Sequence, residues 1–125
     1  MDPAFVNFEQ VLRAHEHSLK RHGGSAGIRD EGLLRSAVEQ PLNDFFYGHG
    51  DLFAVAAAYA FHIAQAQAFL DGNKRTAIAI ALAFLEQNGI ATNAAIDRLY
   101  DAMIGIAERR LTKADLAAVF RELFN

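Results

Sequence analysis

Apolar residues recur along the chain with the three-to-four-residue period of helices, not the two-residue alternation of strands. Phe8, Val11, Leu12, His15 and Leu19 fall on one face of a first helix. Asn7 begins it, and Gln10 three positions on completes a capping box. The run His22-Gly23-Gly24-Ser25-Ala26-Gly27 ends it, because glycine takes positive-φ cap conformations readily. Asp30 caps a short second helix predicted to reach about Gln40, with Pro41 as its stop. The following stretch, PLNDFFYGHG, reads as a loop with Phe45, Phe46 and Tyr47 at its centre.

Asp51 caps a central helix predicted to run to about Ala68, apolar all round and therefore buried on every side. A second nearly all-apolar helix extends from Lys74 to Asn88 and closes at Gly89. Ile96, Leu99, Tyr100 and Met103 mark another. Thr112 with Asp115 forms a capping box for the last, whose stripe is Leu116, Val119, Phe120, Leu123 and Phe124. The pattern predicts an all-α, compact bundle of about six helices, as a single domain over residues 1–125.

Composition narrows the setting. Of the 125 residues, 52% are apolar, enough for one core without staples. There is no cysteine, which excludes disulfides and thiolate metal sites and suits a reducing compartment. A formal charge of -3 and a pI near 5.9 argue against direct nucleic-acid binding or an anionic membrane surface. No leader-like segment opens the chain. Leu52 to Leu70 is long enough to raise a membrane span, but it is mostly alanine and carries His62, Gln65 and Gln67. A cytoplasmic protein is the expectation.

The chemistry concentrates in one polar knot between the two apolar helices, QAQAFLDGNKRT, residues 65–76. Its second half opens a helix, so unpaired backbone N–H groups and the helix dipole favour an anion there. Gly72 and Asn73 tolerate the positive φ that turns several amides toward one point. Lys74 and Arg75 add full positive charge, and arginine grips phosphate bidentately. Asp71 is the nearby carboxylate able to hold Mg²⁺ in company with phosphate oxygens. Together they describe a cradle for a nucleoside triphosphate such as ATP. It is not a P-loop, since Asn73 stands where glycine must precede the lysine and Arg75 where Ser or Thr must follow. The plainer alternative is a tight helix–helix turn, with Asp71 as a cap and two solvated cations.

The knot resembles the Fic/Doc signature His-x-Phe-x-Asp/Glu-x-Asn-Gly/Lys-Arg at Phe69, Asp71, Asn73, Lys74 and Arg75. The HGGSAGIRDEGLL segment, the FFY stretch and the AYAFHIAQ approach are similar to those of death-on-curing (Doc) toxins, so the resemblance runs from about Phe8 to Phe124. It implies a Fic fold and use of ATP with Mg²⁺. Lys74, and Ile78 where AMP-transferring members carry a second arginine, match the Doc-like pattern. That branch implies transfer of the γ-phosphate to a hydroxyl of a target protein of the translation machinery, elongation factor Tu in the prototype. AMP or other nucleotidyl transfer of Fic type is the alternative. No Ser or Thr has Glu four residues on, as the family's self-inhibitory helix requires, so a cognate antitoxin acting in trans is implied.

One motif position departs. The family's catalytic histidine aligns with Gln67, whose amide has no usable basicity near neutral pH. The expectation is an intact cradle with little or no transferase activity. Either a change was introduced to disarm a toxic protein, favoured because the other motif positions are present, or the chain is a catalytically dead nucleotide- or protein-binding module. His62, five residues upstream, points to another side of the helix and is expected to be a hydrogen-bonded core residue rather than a substitute base. His15 and His17 do not share a helical face, so they read as no metal pair. Phe45, Phe46 and Tyr47 are either aromatics tucked on the core or the family's flap, which holds the target segment by strand-like pairing. A DNA-binding helical bundle would need a basic stripe, which is missing.

Overall fold

A computed structural model describes residues 2–93 and 96–125 of the chain. Its centre is the alanine-rich helix α3, Leu52–Ala66, in which Val55 through Ala60 and Ile63 are all buried. Small side chains let neighbouring backbones approach closely, and α2 (Glu31–Gly48), α4 (Asn73–Gln87) and α6 (Lys113–Phe124) pack along it. Helix α1 (Phe8–His22) lies against α4, and α5 (Ile96–Ala107) closes the remaining side beside α6. The fold is all-α, with these six helices among the described residues. None of them is long and apolar enough to cross a membrane.

The core is aliphatic around α3 and aromatic toward the N-terminal segment. Tyr59 and Phe84 pack with ring centroids 5.4 Å apart, and Phe5 adds to Phe84 at 6.2 Å and to Phe45 at 5.8 Å. Each such buried ring contributes on the order of 1.5–3 kcal/mol. The Tyr59 hydroxyl accepts from the Val6 N–H at 2.9 Å and donates to the Val6 carbonyl at 3.1 Å, tying down the segment before α1.

The caps fall where the sequence places them. Asn7 and Gln10 form a reciprocal capping box, as do Thr112 and Asp115, while the carboxylates of Asp30 and Asp51 cap α2 and α3. The expected stop at Pro41 is wrong. Helix α2 continues through a buried Pro41 to Gly48, so the stretch expected as a loop is helical and Phe45, Phe46 and Tyr47 occupy its last turns. Proline in a helix interior forfeits one hydrogen bond and crowds the preceding turn, at about 3 kcal/mol. Burial of Leu34, Ala37, Val38 and Pro41 along α3, with Phe45 seated on Phe5, offsets that penalty. The helix stops instead at His49, which takes a left-handed φ of 53° while its N–H donates to the Phe45 carbonyl.

Candidate active site

The knot begins where α3 ends. Gln67 adopts φ 46° and ψ 43°, a left-handed conformation that turns the chain out of the helix. For a residue with a side chain this costs roughly 1–2 kcal/mol. A second chain segment, Gly27 to Asp30, fixes the turn from outside. The Ala68 carbonyl accepts from the N–H groups of Arg29 (2.6 Å) and Asp30 (3.1 Å), and the Leu70 N–H donates to the Gly27 carbonyl at 3.1 Å. Ile28 and Phe69 thus form an isolated antiparallel bridge. The Arg29 guanidinium adds a 2.5 Å bond to the Gln67 carbonyl.

Inside the turn, Phe69 is fully buried. Asn73 clasps its backbone from both sides, accepting from the Phe69 N–H and donating to the Phe69 carbonyl, each at 3.0 Å. The Asn73 side chain therefore shapes the loop, and what it leaves for a ligand is its backbone N–H. The His15 ring stacks on Phe69 at 3.7 Å and donates from Nε2 to the Asp71 carbonyl at 2.8 Å. His15 and the Gly27–Asp30 segment are the supports that reading the sequence alone does not assign to the knot.

Gly72, at φ 78°, opens α4 with no side-chain cap. The first N–H to find a carbonyl is that of Thr76, so those of Asn73, Lys74 and Arg75 have no acceptor among the described residues. Lys74 and Arg75 are exposed and make no ion pair there either. The Asp71 carboxylate accepts from the Gly72 N–H at 2.9 Å and the Ser25 N–H at 3.3 Å. Gly24 makes that approach possible, since a Cβ there would lie 2.8 Å from Asp71 Oδ2. Gln67, Asp71, Gly72, Asn73, Lys74 and Arg75 all line one pocket of about 720 Å³, closed on its far side by α5 and the turn after it.

Phe45, Phe46 and Tyr47 lie elsewhere. Phe45 and Tyr47 line a separate pocket of about 680 Å³ with Ala54 and Val55, near the start of α3. From Ala54 to Ala66 the helix spans about 18 Å, which separates them from the knot. Their helical backbone also has no free edge to offer a strand, although Phe46 and Tyr47 are 48% and 88% exposed. Strand-like pairing beside the knot is intramolecular, between Gly27–Asp30 and residues 68–70. Cations at the second pocket are already neutralised, Lys113 by Asp44 at 2.6 Å and Arg121 by Asp51 at 2.7 Å. Lys74 and Arg75, by contrast, keep their charge free of any carboxylate among the described residues.

His62 is turned away from the knot, 3.1 Å from Lys113 Nζ and 3.5 Å from Asp44 Oδ2. Burial, then the nearby lysine, pushes its pKa below the ordinary 6.5 despite Asp44. For Asp44, burial alone would raise the carboxyl, but hydrogen bonds from Lys113 and Gln40 and the two cations hold it below 3.8. Both shifts have the same consequence. The unfolded chain takes up protons at higher pH than the folded one, so stability falls on acidification. The loss begins as pH drops below about 6.5 through His62 and resumes below about 3.8 through Asp44. Melting temperatures between pH 7 and 5 are expected to decline in the native chain and to flatten in His62→Asn.

The Fic/DOC family model matches residues 5–85, which include α1 through most of α4 and the whole knot. The chain belongs to the Fic/DOC family. Two relatives within it extend the match over almost the full length. The chain is 31% identical over 120 residues to "Protein kinase doc" of Escherichia phage P1, covering 95% of this chain and 94% of the relative. It is 40% identical over 124 residues to "Toxin Doc" of Mycolicibacterium smegmatis, covering 95% and 90%. The matched span thus takes in the whole knot, which folds into the pocket described above.

Proposed function

We propose that this chain is a Doc-like toxin whose pocket binds ATP with Mg²⁺ for phosphoryl transfer to a hydroxyl of a target protein, with elongation factor Tu as the target. Residue 67 is the position of the base, and as glutamine it leaves the chain with little or no transfer activity. The observation that carries this reading is the opening of α4. Three unbonded amides, Lys74 and Arg75 converge on a pocket that also holds Asp71 and Gln67. Amides at a helix N-terminus beside two free cations suit a polyphosphate better than any neutral ligand.

Among the described residues no cluster of three or more His, Asp or Glu side chains is placed to hold a metal. Asp71 nevertheless fits a Mg²⁺ that travels with the nucleotide: two of its roughly four lone-pair sites are occupied by amides and the rest are open. Such an ion, when bound, would neutralise phosphate oxygens. Lys74 and Arg75 would hold the polyphosphate, and Asn73 would keep the loop in shape. In the transfer itself, the target hydroxyl loses its proton to a base at position 67 and forms a bond to the γ-phosphorus, while the bond to the β-phosphate oxygen breaks and ADP leaves. The Gln67 amide can hydrogen-bond that hydroxyl but cannot take the proton.

Nucleotidyl transfer is the second reading, and α4 speaks for phosphate over nucleotide. Its position 78 is a buried isoleucine, so the helix offers no second guanidinium to turn the nucleotide round. Likeness to the Doc relatives supports a cognate antitoxin as partner and a cytoplasmic setting. Isothermal titration with Mg·ATP tests the nucleotide reading without needing catalysis. Binding is expected, and Arg75→Ala should weaken it roughly tenfold or more, as loss of a charge-assisted contact does. Arg75 is exposed and unpaired, so the variant should melt like the native chain. No ATP binding by the native chain would sink the proposal.

A further inference from the structure

The turn after α5 carries a residue that its backbone does not explain. Its hydrogen bonds run from the Arg109 N–H to the Ile106 carbonyl (3.1 Å) and from the Arg110 N–H to the Gly105 carbonyl (2.8 Å). This is the paired helix ending that needs one left-handed residue, usually glycine. Arg109 fills it at φ 61°, one of three non-glycine residues with positive φ among those described. A side chain is disfavoured at that position, so the arginine brings no local backbone advantage.

Its surroundings supply a reason. Arg109 lines the same pocket as Lys74 and Arg75. It stands on the wall formed by α5 and the α5–α6 turn, with Tyr100, Met103 and Ile106, while the two other cations stand at the opening of α4. Of the four arginines from residue 96 onward, Arg98 pairs with Glu122, Arg110 with Glu108 and Arg121 with Asp51. Arg109 alone has no carboxylate partner among the described residues. Helix α4 contributes no cation after Arg75, because its sequence continues TAIAIALAFLEQ. A polyphosphate held by the α4 amides on one side therefore meets positive charge on the other only through Arg109.

We infer that Arg109 is the third cation of the cradle, gripping the polyphosphate of a nucleoside triphosphate from the α5–α6 wall. This inference rests on the nucleotide reading above, and it adds a specificity-determining residue outside the signature motif. Three cations face one carboxylate, Asp71, which favours a tri- over a monophosphate.

The test exploits the backbone. Arg109→Gly removes the guanidinium and relieves the left-handed turn, so a purely structural arginine and a ligand-binding one predict opposite combinations. Titrations of Mg·ATP and of inorganic tripolyphosphate would be run on the native chain, Arg109→Gly and a distant control, Arg98→Gln. The expected result is an unchanged or higher melting temperature for Arg109→Gly, with both ligands weakened about tenfold and Arg98→Gln unaffected. A fall in melting temperature with unchanged affinity would overturn the inference, as would any ATP affinity equal to native. If ATP weakens and tripolyphosphate does not, Arg109 serves the nucleoside and the polyphosphate assignment fails. If the native chain binds neither ligand, the nucleotide reading falls and this inference falls with it.

Discussion

Gln67→His is expected to raise phosphoryl transfer from ATP by about 10²–10⁴-fold over the native chain, the usual weight of a positioned general base. The structure offers little resistance to the change. The Gln67 side chain is exposed, makes no hydrogen bond among the described residues and lines the pocket beside Asp71, Lys74 and Arg75. Its backbone is left-handed, a region in which histidine is enriched relative to most residues with a side chain. The Arg29 bonds that hold the turn go to backbone carbonyls and are indifferent to the side chain. The surrounding cations also favour an uncharged imidazole, which is the form that accepts a proton. Mass spectrometry of the modified target then reads the outcome directly, since phosphate and nucleotidyl additions differ greatly in mass. A nucleotidyl product would replace the kinase reading with AMP transfer. Unchanged inactivity in a variant that still binds ATP would show that the base is not the only thing missing, and a binding module would be the better description.

What the sequence reveals of this site, and what it hides, follows from how far apart the interacting groups lie. Helix caps are made within three residues, and Asn7, Asp30, Asp51 and Thr112 were all readable. The free amides of the knot were readable for the same reason: Asp71 to Arg75 are contiguous, and a helix opening there dictates them. The supports were not. The antiparallel bridge pairs Ile28 with Phe69, and the His15 bond reaches the Asp71 carbonyl 56 residues away. The glycines at 24 and 27, read only as a helix stop, carry the close approach to Asp71 and the bond to Leu70. Pro41 misled because local propensity was outweighed by packing along α3, so Phe45–Tyr47 are helical, and Phe45 and Tyr47 line a pocket apart from that of the knot. Arg109 was invisible since only the turn after α5 brings it to the pocket.

Phe69→Ala should produce the largest loss of stability among changes in the knot, about 3–5 kcal/mol in urea unfolding. The ring is fully buried, so its removal loses transfer free energy and leaves a cavity under the loop. For a domain stable by roughly 5–15 kcal/mol, that is a fifth or more of the total. The effect is not confined to the core. His15 stacks on this ring while it holds the Asp71 carbonyl, so losing the ring frees the imidazole that fixes the Asp71 side of the pocket. ATP affinity is therefore expected to fall along with stability, even though Phe69 touches no ligand in the proposed arrangement. Phe69→Leu separates the two contributions. It keeps most of the volume but not the flat stacking surface, so it should recover much of the stability and less of the affinity. Ligand linkage provides the internal check: ATP at about 100 times the Kd of the unmutated chain should return about 2.7 kcal/mol to any variant that keeps that affinity, and less to one whose cradle is impaired. A smaller recovery in Phe69→Leu, and the smallest in Phe69→Ala, would establish that the buried ring holds the cradle in its binding shape. Equal recovery in both would mean that Asn73 and the Gly27–Asp30 segment suffice without it.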